Sequence, residues 1–182
     1  IRMRLVGSEM CIRDRKLAVK NIQNSKKQEH LIFGVTSSGK TEVYKHLIYD
    51  EFKKNNSAII LVPEIFLAPK IYEEFKESFG ENVFLYHSNL TELQRYKIWL
   101  NCQKKSPKII VGTRSALFLM PKNTNIIVFD DLSLNQLNNN DVIFSSNLLG
   151  KISDVEKLFK NNSILIINSV NYAEIFLDFN SI

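Results

Sequence analysis

The sequence predicts an α/β fold in which a mostly parallel sheet has helices packed on both faces. Short apolar runs alternate with stretches of helical periodicity, which is the pattern of repeated β-α units. These runs lack the polar alternation of a solvent-facing sheet, so both faces of the sheet should be covered. The 182 residues, 45% hydrophobic and 24% charged, are enough to bury the core of one globular domain.

The first β-α-β unit is predicted from its apolar runs and its stop signals. A strand over His30–Phe33 ends at Gly34, and a helix over Thr41–Lys54 follows with apolar residues at helical spacing. The second strand, over Ala58–Val62, is apolar throughout and is stopped by Pro63. Together these elements form one unit of a parallel sheet.

The same alternation continues through the rest of the chain. A helix is predicted over Ala68–Phe79, and Thr91 is the expected N-cap of a helix whose buried face contains Leu93, Trp99 and Leu100. The remaining strands are predicted over Val83–Tyr86, Lys108–Val111, Asn125–Phe129 and Ile164–Ile167, and a last helix over Ile152–Phe159.

Residues 1–15 differ in composition from the rest of the chain. They contain four of its six Arg residues, whereas Lys, Asn and Ile dominate from Lys16 onward. The run Val6–Arg15 resembles a translated sequencing adapter joined to a truncated gene, and the alternative is a basic arm that binds nucleic acid. We therefore predict a foreign segment over residues 1–15 and a single domain over residues 16–182.

Composition and charge narrow the classes of function. No run approaches the roughly 20 apolar residues of a membrane span, and Cys11 and Cys102 are the only cysteines. We therefore expect a cytoplasmic protein without a membrane partner or a disulfide scaffold. Residues 16–129 contain 17 Lys and Arg against 10 Asp and Glu, a net charge of +7. That charge suits a polyanionic partner, although a solvated Lys face explains it equally well.

A phosphate-binding loop is predicted between the first strand and the first helix. Gly34–Thr41 reads GVTSSGKT and matches the pattern GxxxxGK[ST] in full. Its glycines let backbone amides turn toward one anion, and the helix N-terminus adds a partial positive charge. Lys40 would reach the β- and γ-phosphates of a nucleotide, and the Thr41 hydroxyl would ligate Mg²⁺. The predicted phosphate-binding residues are Gly34, Thr36, Ser37, Ser38, Gly39, Lys40 and Thr41.

Further blocks occur with this loop in a fixed order. They are GVTSSGKTEVY (Gly34–Tyr44), LVPEIFLAP (Leu61–Pro69), HS (His87–Ser88) and GTRSALF (Gly112–Phe118). Over about Lys16–Asp130 the chain resembles the primosomal protein N′ family, the PriA-type DNA helicases of superfamily 2. The resemblance implies a RecA-like P-loop NTPase lobe that binds ATP and Mg²⁺. It also implies a partner DNA, either a single strand or a fork, and other primosome proteins that act with the helicase in replication restart.

The predicted DNA-binding residues follow the ends of strands. Pro63 follows one strand, and the Thr113 hydroxyl and the Arg114 guanidinium could bind phosphates without reading sequence, although an ion pair within the lobe explains Arg114 equally well. We expect Glu64 to order its own loop, because its carboxylate would repel DNA phosphate. His87 could relay between the ATP and DNA sites, although a structural role is the simpler expectation.

The resemblance weakens after Phe129, where the family has DEEH and this chain has Asp130-Asp131-Leu132-Ser133. Asp130 keeps the role of the metal-shell Asp, and Asp131, shorter by one methylene, replaces the Glu that orients the attacking water. Of a later GSATPS-like block only Ser169 matches, so we predict a domain that is degenerate after about residue 130. The predicted catalytic residues are Lys40, Asp130 and Asp131, and the predicted metal ligands are Thr41 and Asp130.

Two functions therefore remain open. One is the ATP-binding lobe of a replication-restart helicase that couples ATP hydrolysis to DNA translocation and unwinding. The other is a degenerate, non-hydrolysing nucleotide-binding interaction module; a P-loop kinase or GTPase has less support, because the chain lacks their further motifs. We expect this chain alone to bind Mg²⁺-ATP without useful turnover, since a second lobe with its arginine finger would lie beyond Ile182. Without nucleotide, we expect Lys40 to be solvated.

Overall fold

Parallel strands form one sheet, as the sequence predicts. The computed structural model describes residues 2–5, 10–27, 29–34, 39–132 and 164–169. Its strands are β1 (Arg2–Leu5), β2 (Glu29–Gly34), β3 (Ser57–Leu61), β4 (Val83–Tyr86), β5 (Ile109–Gly112), β6 (Thr124–Leu132) and β7 (Ile164–Ser169). The spatial order is β1-β2-β7-β6-β3-β5-β4, and every neighbouring pair is parallel.

Three of the four α-helices agree closely with predicted elements, and the other, α1, was not predicted. The helices are α1 (Met10–Gln23), α2 (Lys40–Lys53), α3 (Ala68–Phe79) and α4 (Glu92–Cys102), with short 3-10 helices over Gly80–Asn82 and Arg114–Leu119. The bounds of α3 and β4 are as predicted, and other ends differ by one or two residues, except that β6 continues three residues past its predicted end. The helix predicted over Ile152–Phe159 lies outside the described residues.

Three neighbouring strands, β6, β3 and β5, are buried on both faces. Alternate side chains enter two separate cores, so that Ile60 packs toward α1, α2 and α3 while Ile59 packs toward α4 and the 3-10 helix Arg114–Leu119. Both isoleucines are fully buried, and burial of one such side chain contributes about 1.5–3 kcal/mol. The predicted cover of helices on both faces is confirmed.

The N-cap of α4 is as predicted, but its buried face is not. The Thr91 hydroxyl accepts a hydrogen bond from the Gln94 backbone N–H at 3.3 Å, which caps the helix. Leu93, Trp99 and Leu100 are 61%, 45% and 42% exposed, so the prediction that they face the core is wrong. Ile98 and Cys102, one turn apart, pack on the core instead. Because α4 has apolar residues on several faces, periodicity alone could not identify the buried one.

The predicted boundary at residue 15 falls inside α1. Arg2–Leu5, in the segment predicted to be foreign, pairs with β2 at one edge of the sheet. Ala18 and Ile22, which are buried in the core beside α2, lie in the part of α1 that follows residue 15. The division of the chain at residue 15 stays a prediction.

The side chain of Glu51 links the C-terminal end of α2 to strand β6 by hydrogen bonds. One carboxylate oxygen accepts a hydrogen bond from Lys54 Nζ at 2.6 Å, and the other accepts from Asn56 Nδ2 at 2.7 Å and from Asn125 Nδ2 of β6. Burial by itself would raise the pKa of Glu51, but the hydrogen bonds from these three residues outweigh it and hold the pKa below its usual value. The charged form is therefore stabilised in the folded chain.

Replacement Glu51→Gln should destabilise the fold by about 1–2 kcal/mol at neutral pH, because charge-assisted hydrogen bonds are lost. Since the folded pKa is the lower one, this stabilisation is present above the unfolded pKa and is lost as the pH falls from about pH 5 downward. Urea unfolding at several pH values measures the difference, which should shrink in acid. The exposed control Glu77→Gln should stay within about 0.5 kcal/mol of the wild type. A difference between Glu51→Gln and wild type that is constant with pH would contradict the assignment.

Candidate functional site

The carboxyl ends of the parallel strands meet at one edge of the sheet, where ligands of such sheets bind. Gly34 ends β2, Ser169 ends β7, and Asp130 lies near the end of β6, which gives three neighbouring strands. β3 and β5 end next to them at Leu61 and Gly112. The predicted nucleotide residues therefore occupy one half of this edge, and the predicted DNA residues follow the strands of the other half.

The phosphate loop leads from β2 into α2. Thr36, Ser37 and Ser38 lie outside the described residues. Gly39 is the N-cap of α2 and has a φ of 81°, which a side chain would strain. A Cβ at this position would also lie 2.9 Å from Nη1 of Arg15, so α1 approaches the phosphate loop closely here.

Lys40 and Thr41 begin α2, as the motif predicts. Lys40 is only 7% exposed, so the expectation that its side chain is solvated without nucleotide is wrong. Val43, in the same first turn of α2, is fully buried. The phosphate-loop lysine is therefore enclosed by protein.

Tyr44 connects the start of α2 to Asp130. Its hydroxyl donates a hydrogen bond of 2.7 Å to Asp130 Oδ2, and both residues are buried, with Tyr44 fully so. Burial raises the pKa of Tyr44 well above its usual value, and the charge of Asp130 adds to this, while a side-chain hydrogen bond with Thr41 acts in the opposite direction. Sequence reasoning did not assign a role to Tyr44. The available signal was its position three residues after Thr41, on the same face of a helix.

The block after Phe129 continues as strand. Asp131 and Leu132 belong to β6, but the described part of the structure does not include their side chains, and Ser133 lies outside it. Ser169 of β7 is paired with Phe33 of β2 on one side and with Leu132 of β6 on the other. The strand of Ser169 thus lies between the strand of the phosphate loop and the strand of Asp130.

The predicted DNA residues lie together after β3 and β5. The Val62 backbone N–H donates to the Gly112 carbonyl at 2.9 Å, which keeps the two strand ends side by side just before Pro63 and Thr113. Thr113 and Pro63 are partly buried, whereas Arg114 is exposed at the start of its 3-10 helix. These residues are thus close in the fold, and their contact with DNA stays a prediction.

His87 and Glu64 lie beside this group. His87 follows β4, the strand at the far edge of the sheet, so four strands separate it from the phosphate-loop strand. Its Nδ1 is buried, with no hydrogen-bond partner among the described residues. The strand order therefore puts His87 on the predicted DNA side and not between the two sites. Glu64 accepts a backbone hydrogen bond through its carbonyl from the Leu67 N–H at 3.2 Å, within its own loop.

Other candidate chemistry is limited in the described part of the chain. Burial raises the pKa of the Cys102 thiol to about 11, so this cysteine is not a nucleophile at neutral pH. The described residues contain no cluster of three or more His, Cys, Asp or Glu side chains that could hold a metal ion. Nor do they include a helix with the length and apolar character needed to cross a membrane.

Gly112 permits the close approach of β5 and β4 at this edge. A Cβ on Gly112 would overlap the Tyr86 carbonyl oxygen and would lie 2.9 Å from the Ala116 Cβ. The same Tyr86 carbonyl accepts a hydrogen bond of 3.3 Å from the Thr113 N–H. The glycine of the GTRSALF block is therefore required by packing, and it determines where Thr113 and Arg114 leave the sheet.

Comparison with known families identifies the fold. Residues 13–167, more than half of the chain, match the DEAD/DEAH box helicase family. The chain belongs to this family. It is 41% identical over 114 residues to the replication restart protein PriA of Helicobacter pylori and 41% identical over 106 residues to that of Bacillus subtilis. These matches confirm the predicted resemblance to PriA-type, ATP-dependent DNA helicases. They cover 63% and 57% of this chain but only 18% and 13% of the relatives, so the chain spans less than a fifth of their length.

Solved structures of helicases share the fold. The helicase MrfA bound to DNA and AMPPNP superimposes with a TM-score of 0.69 at 18% identity, over 88% of this chain and 24% of that one. RecG bound to a three-way DNA junction gives a TM-score of 0.64 at 22% identity, over 90% of this chain and 22% of that one. The predicted RecA-like lobe of a DEAD/DEAH box helicase is therefore confirmed as the fold.

Replacement Gly112→Ala should destabilise the fold by about 3 kcal/mol, because the added methyl group must displace backbone and not a flexible side chain. Urea unfolding measures the loss. Ser78→Ala, an exposed substitution on α3, is the control and should change stability by no more than about 0.5 kcal/mol. Equal stability of Gly112→Ala and the wild type would show that the strand ends are not held as closely as the structure has them.

Proposed function

We propose that this chain is the ATP-binding lobe of a replication-restart DNA helicase, which couples ATP hydrolysis to movement along DNA and to unwinding. One observation carries the proposal: the Tyr44–Asp130 hydrogen bond joins residues 86 positions apart in the sequence. It brings the helix that begins with Lys40 and Thr41 to the strand that contains Asp130. A phosphate-binding lysine, a hydroxyl and a carboxylate at one sheet edge are what nucleotide phosphates with Mg²⁺ require.

The residues present fit a magnesium ion. Asp130 is buried and accepts a hydrogen bond from Tyr44, and Thr41 lies one turn before Tyr44 on α2. The Asp130 carboxylate and the Thr41 hydroxyl are oxygen ligands of the kind that Mg²⁺ prefers. Thr41 and Asp130 would hold the ion, which when bound neutralises charge on the phosphates. Lys40 and the amides of the loop from Gly34 to Thr41 bind and orient the phosphates, and Asp131 orients the attacking water.

The DNA residues of the proposal are Pro63, Thr113 and Arg114. Two observations support this role: the three residues follow the ends of neighbouring strands, and residues 16–129 have a net charge of +7. The named relatives are replication restart proteins, and the MrfA and RecG structures contain DNA. DNA as a single strand or fork, primosome proteins as partners and a cytoplasmic location are parts of the proposal.

A non-hydrolysing interaction module is the second candidate. The observation that favours it is the sequence Asp130-Asp131-Leu132-Ser133 in place of DEEH, which shortens the water-orienting acid by one methylene. A misplacement of about 1 Å in such a group can cost about 100-fold in rate. Both candidates bind ATP through the same residues, and they differ in whether the complete protein hydrolyses it.

ATP with Mg²⁺ should stabilise the chain, and the variant Lys40→Ala should lose most of this stabilisation. A ligand at one hundred times its Kd adds about 2.7 kcal/mol to the stability of the folded state. For this chain length the melting temperature should rise by roughly 5–10 °C. A thermal melt of each variant with and without Mg²⁺-ATP measures the ATP-induced change in melting temperature. Because each variant is compared with itself, an effect of the substitution on the melting temperature without ATP does not enter the comparison.

The control for this experiment is Lys53→Ala at the other end of α2. Lys53 ends α2, near the amino ends of the strands, and its Nζ is 4.2 Å from the centroid of the Tyr49 ring. The ATP-induced rise in the melting temperature of Lys53→Ala should equal that of the wild type. An equal shift in the wild type and in Lys40→Ala would exclude the phosphate loop as the nucleotide site.

Replacement Arg114→Ala should weaken single-stranded DNA binding equally for all sequences, because a phosphate contact carries no base information. The slope of log K against log[salt], expected near −2 to −3 for the wild type, should become shallower by about 0.7. Fluorescence anisotropy with two unrelated oligonucleotides over a salt series measures this. Lys105→Ala, an exposed cation before β5 at the opposite edge, should leave the slope unchanged. A sequence-dependent loss in Arg114→Ala, or an unchanged slope, would contradict the role.

A further inference from the structure

The phenol of Tyr44 occupies a position between the two side chains assigned to the metal ion. Its hydroxyl is 2.7 Å from Asp130 Oδ2, and the nearby Thr41 side chain acts to lower the pKa of Tyr44. Thr41 and Tyr44 are three residues apart on α2, so they share one helix face and approach the same point. Asp130, in contrast, comes from β6, which lies between β2 and β3, the two strands that α2 connects.

The ring of Tyr44 is closely packed in this position. Tyr44 is fully buried, and its ring stacks on Phe75 with centroids 6.0 Å apart and an interplanar angle of 11°. Phe75 stacks in turn on Phe79 at 5.7 Å and 9°. This column of rings, which connects α2 with α3, holds the phenol oxygen in place by packing.

We propose that Tyr44 is a positioning residue that presents Asp130 and Thr41 to Mg²⁺. The inference rests on the proposed function, since it concerns the same nucleotide site. The phenol donates its proton to one carboxylate oxygen of Asp130 and leaves the other for the ion or its water. When the Thr41 hydroxyl binds the ion through a lone pair of its oxygen, its hydrogen needs a separate acceptor. In this proposal the acceptor is the Tyr44 oxygen. One phenol thus satisfies both side chains in the arrangement that a metal ion requires.

The variant Tyr44→Phe tests this directly, because it keeps the ring column and removes only the hydroxyl. Binding of a fluorescent ATP analogue is measured in EDTA and in saturating Mg²⁺. In EDTA the affinity should stay within about twofold of the wild type, since the phosphate loop is unchanged. The gain in affinity that Mg²⁺ brings should fall by about tenfold, as is typical when a hydrogen-bond partner of a metal ligand is lost.

The matched control is Tyr49→Phe on the same helix. Tyr49 is 45% exposed and forms an edge-to-face contact with Phe79, whereas the hydrogen bond to Asp130 comes from Tyr44. Its Mg²⁺-dependent gain should equal that of the wild type. If Mg²⁺ increases the affinity of Tyr44→Phe for the analogue as much as it increases that of the wild type, the inference is overturned and the proposed function is left intact. A wild-type chain that fails to bind the analogue in Mg²⁺ overturns the proposed function, and this inference with it.

A second measurement decides the matter even where Tyr44→Phe does not fold. 3-Fluorotyrosine is incorporated at position 44 or at position 49 of the otherwise unchanged chain, and the ¹⁹F resonance is followed. Adding Mg²⁺ to the ATP-saturated protein should shift the resonance at position 44 and leave that at position 49 in place. A resonance at position 44 that does not respond to Mg²⁺ overturns the inference.

Discussion

The pairing of β3 with β5 on one side and with β6 on the other is the constraint on which the rest of the structure depends. Ser57 at the start of β3 is fully buried; its hydroxyl donates to the Lys122 carbonyl at 2.9 Å and accepts from the Lys108 N–H at 3.1 Å. The Ser57 N–H also donates to the Asn123 carbonyl at 2.8 Å. One small residue therefore aligns the beginnings of three strands. Because each strand is buried on both faces, a slip of one residue would exchange the contents of the two cores. The positions of the strand ends follow from that alignment.

The aromatic column on one face of the sheet extends this order to the candidate site. Phe75 and Phe79 come from α3, and Tyr44 comes from α2, so the column joins two helices that follow different strands. Its last ring carries the hydroxyl that contacts Asp130 of β6. A packing interaction deep in the core thus determines the position of a polar group at the sheet edge. Truncating Phe75 would remove that support without touching the site itself.

The sequence predicts those features that depend on local pattern. Strands β2 to β7, the N-cap at Thr91 and the start of α2 follow from apolar runs, capping residues and the GKT match, and each of these elements begins within one residue of its predicted place. Features that depend on distant contacts were missed. The enclosure of Lys40 depends on how α2 lies on the sheet, and the role of Tyr44 depends on a residue 86 positions away. The buried face of α4 was chosen wrongly because several of its faces are apolar and only the neighbouring core decides among them.

The register between β6 and β3 brings the two halves of the proposed site close together. Phe129 of β6 is paired with Leu61 of β3, so Asp130 is one residue beyond this pair and Pro63 is two residues beyond it. The residue proposed to bind the metal ion therefore lies on β6, and a residue proposed to bind DNA follows the adjacent strand β3. In the proposed function, the path between the ATP site and the DNA site crosses only this pair of strands. A displacement of the end of β6 must be felt by the loop after β3, because close-packed cores do not absorb small shifts.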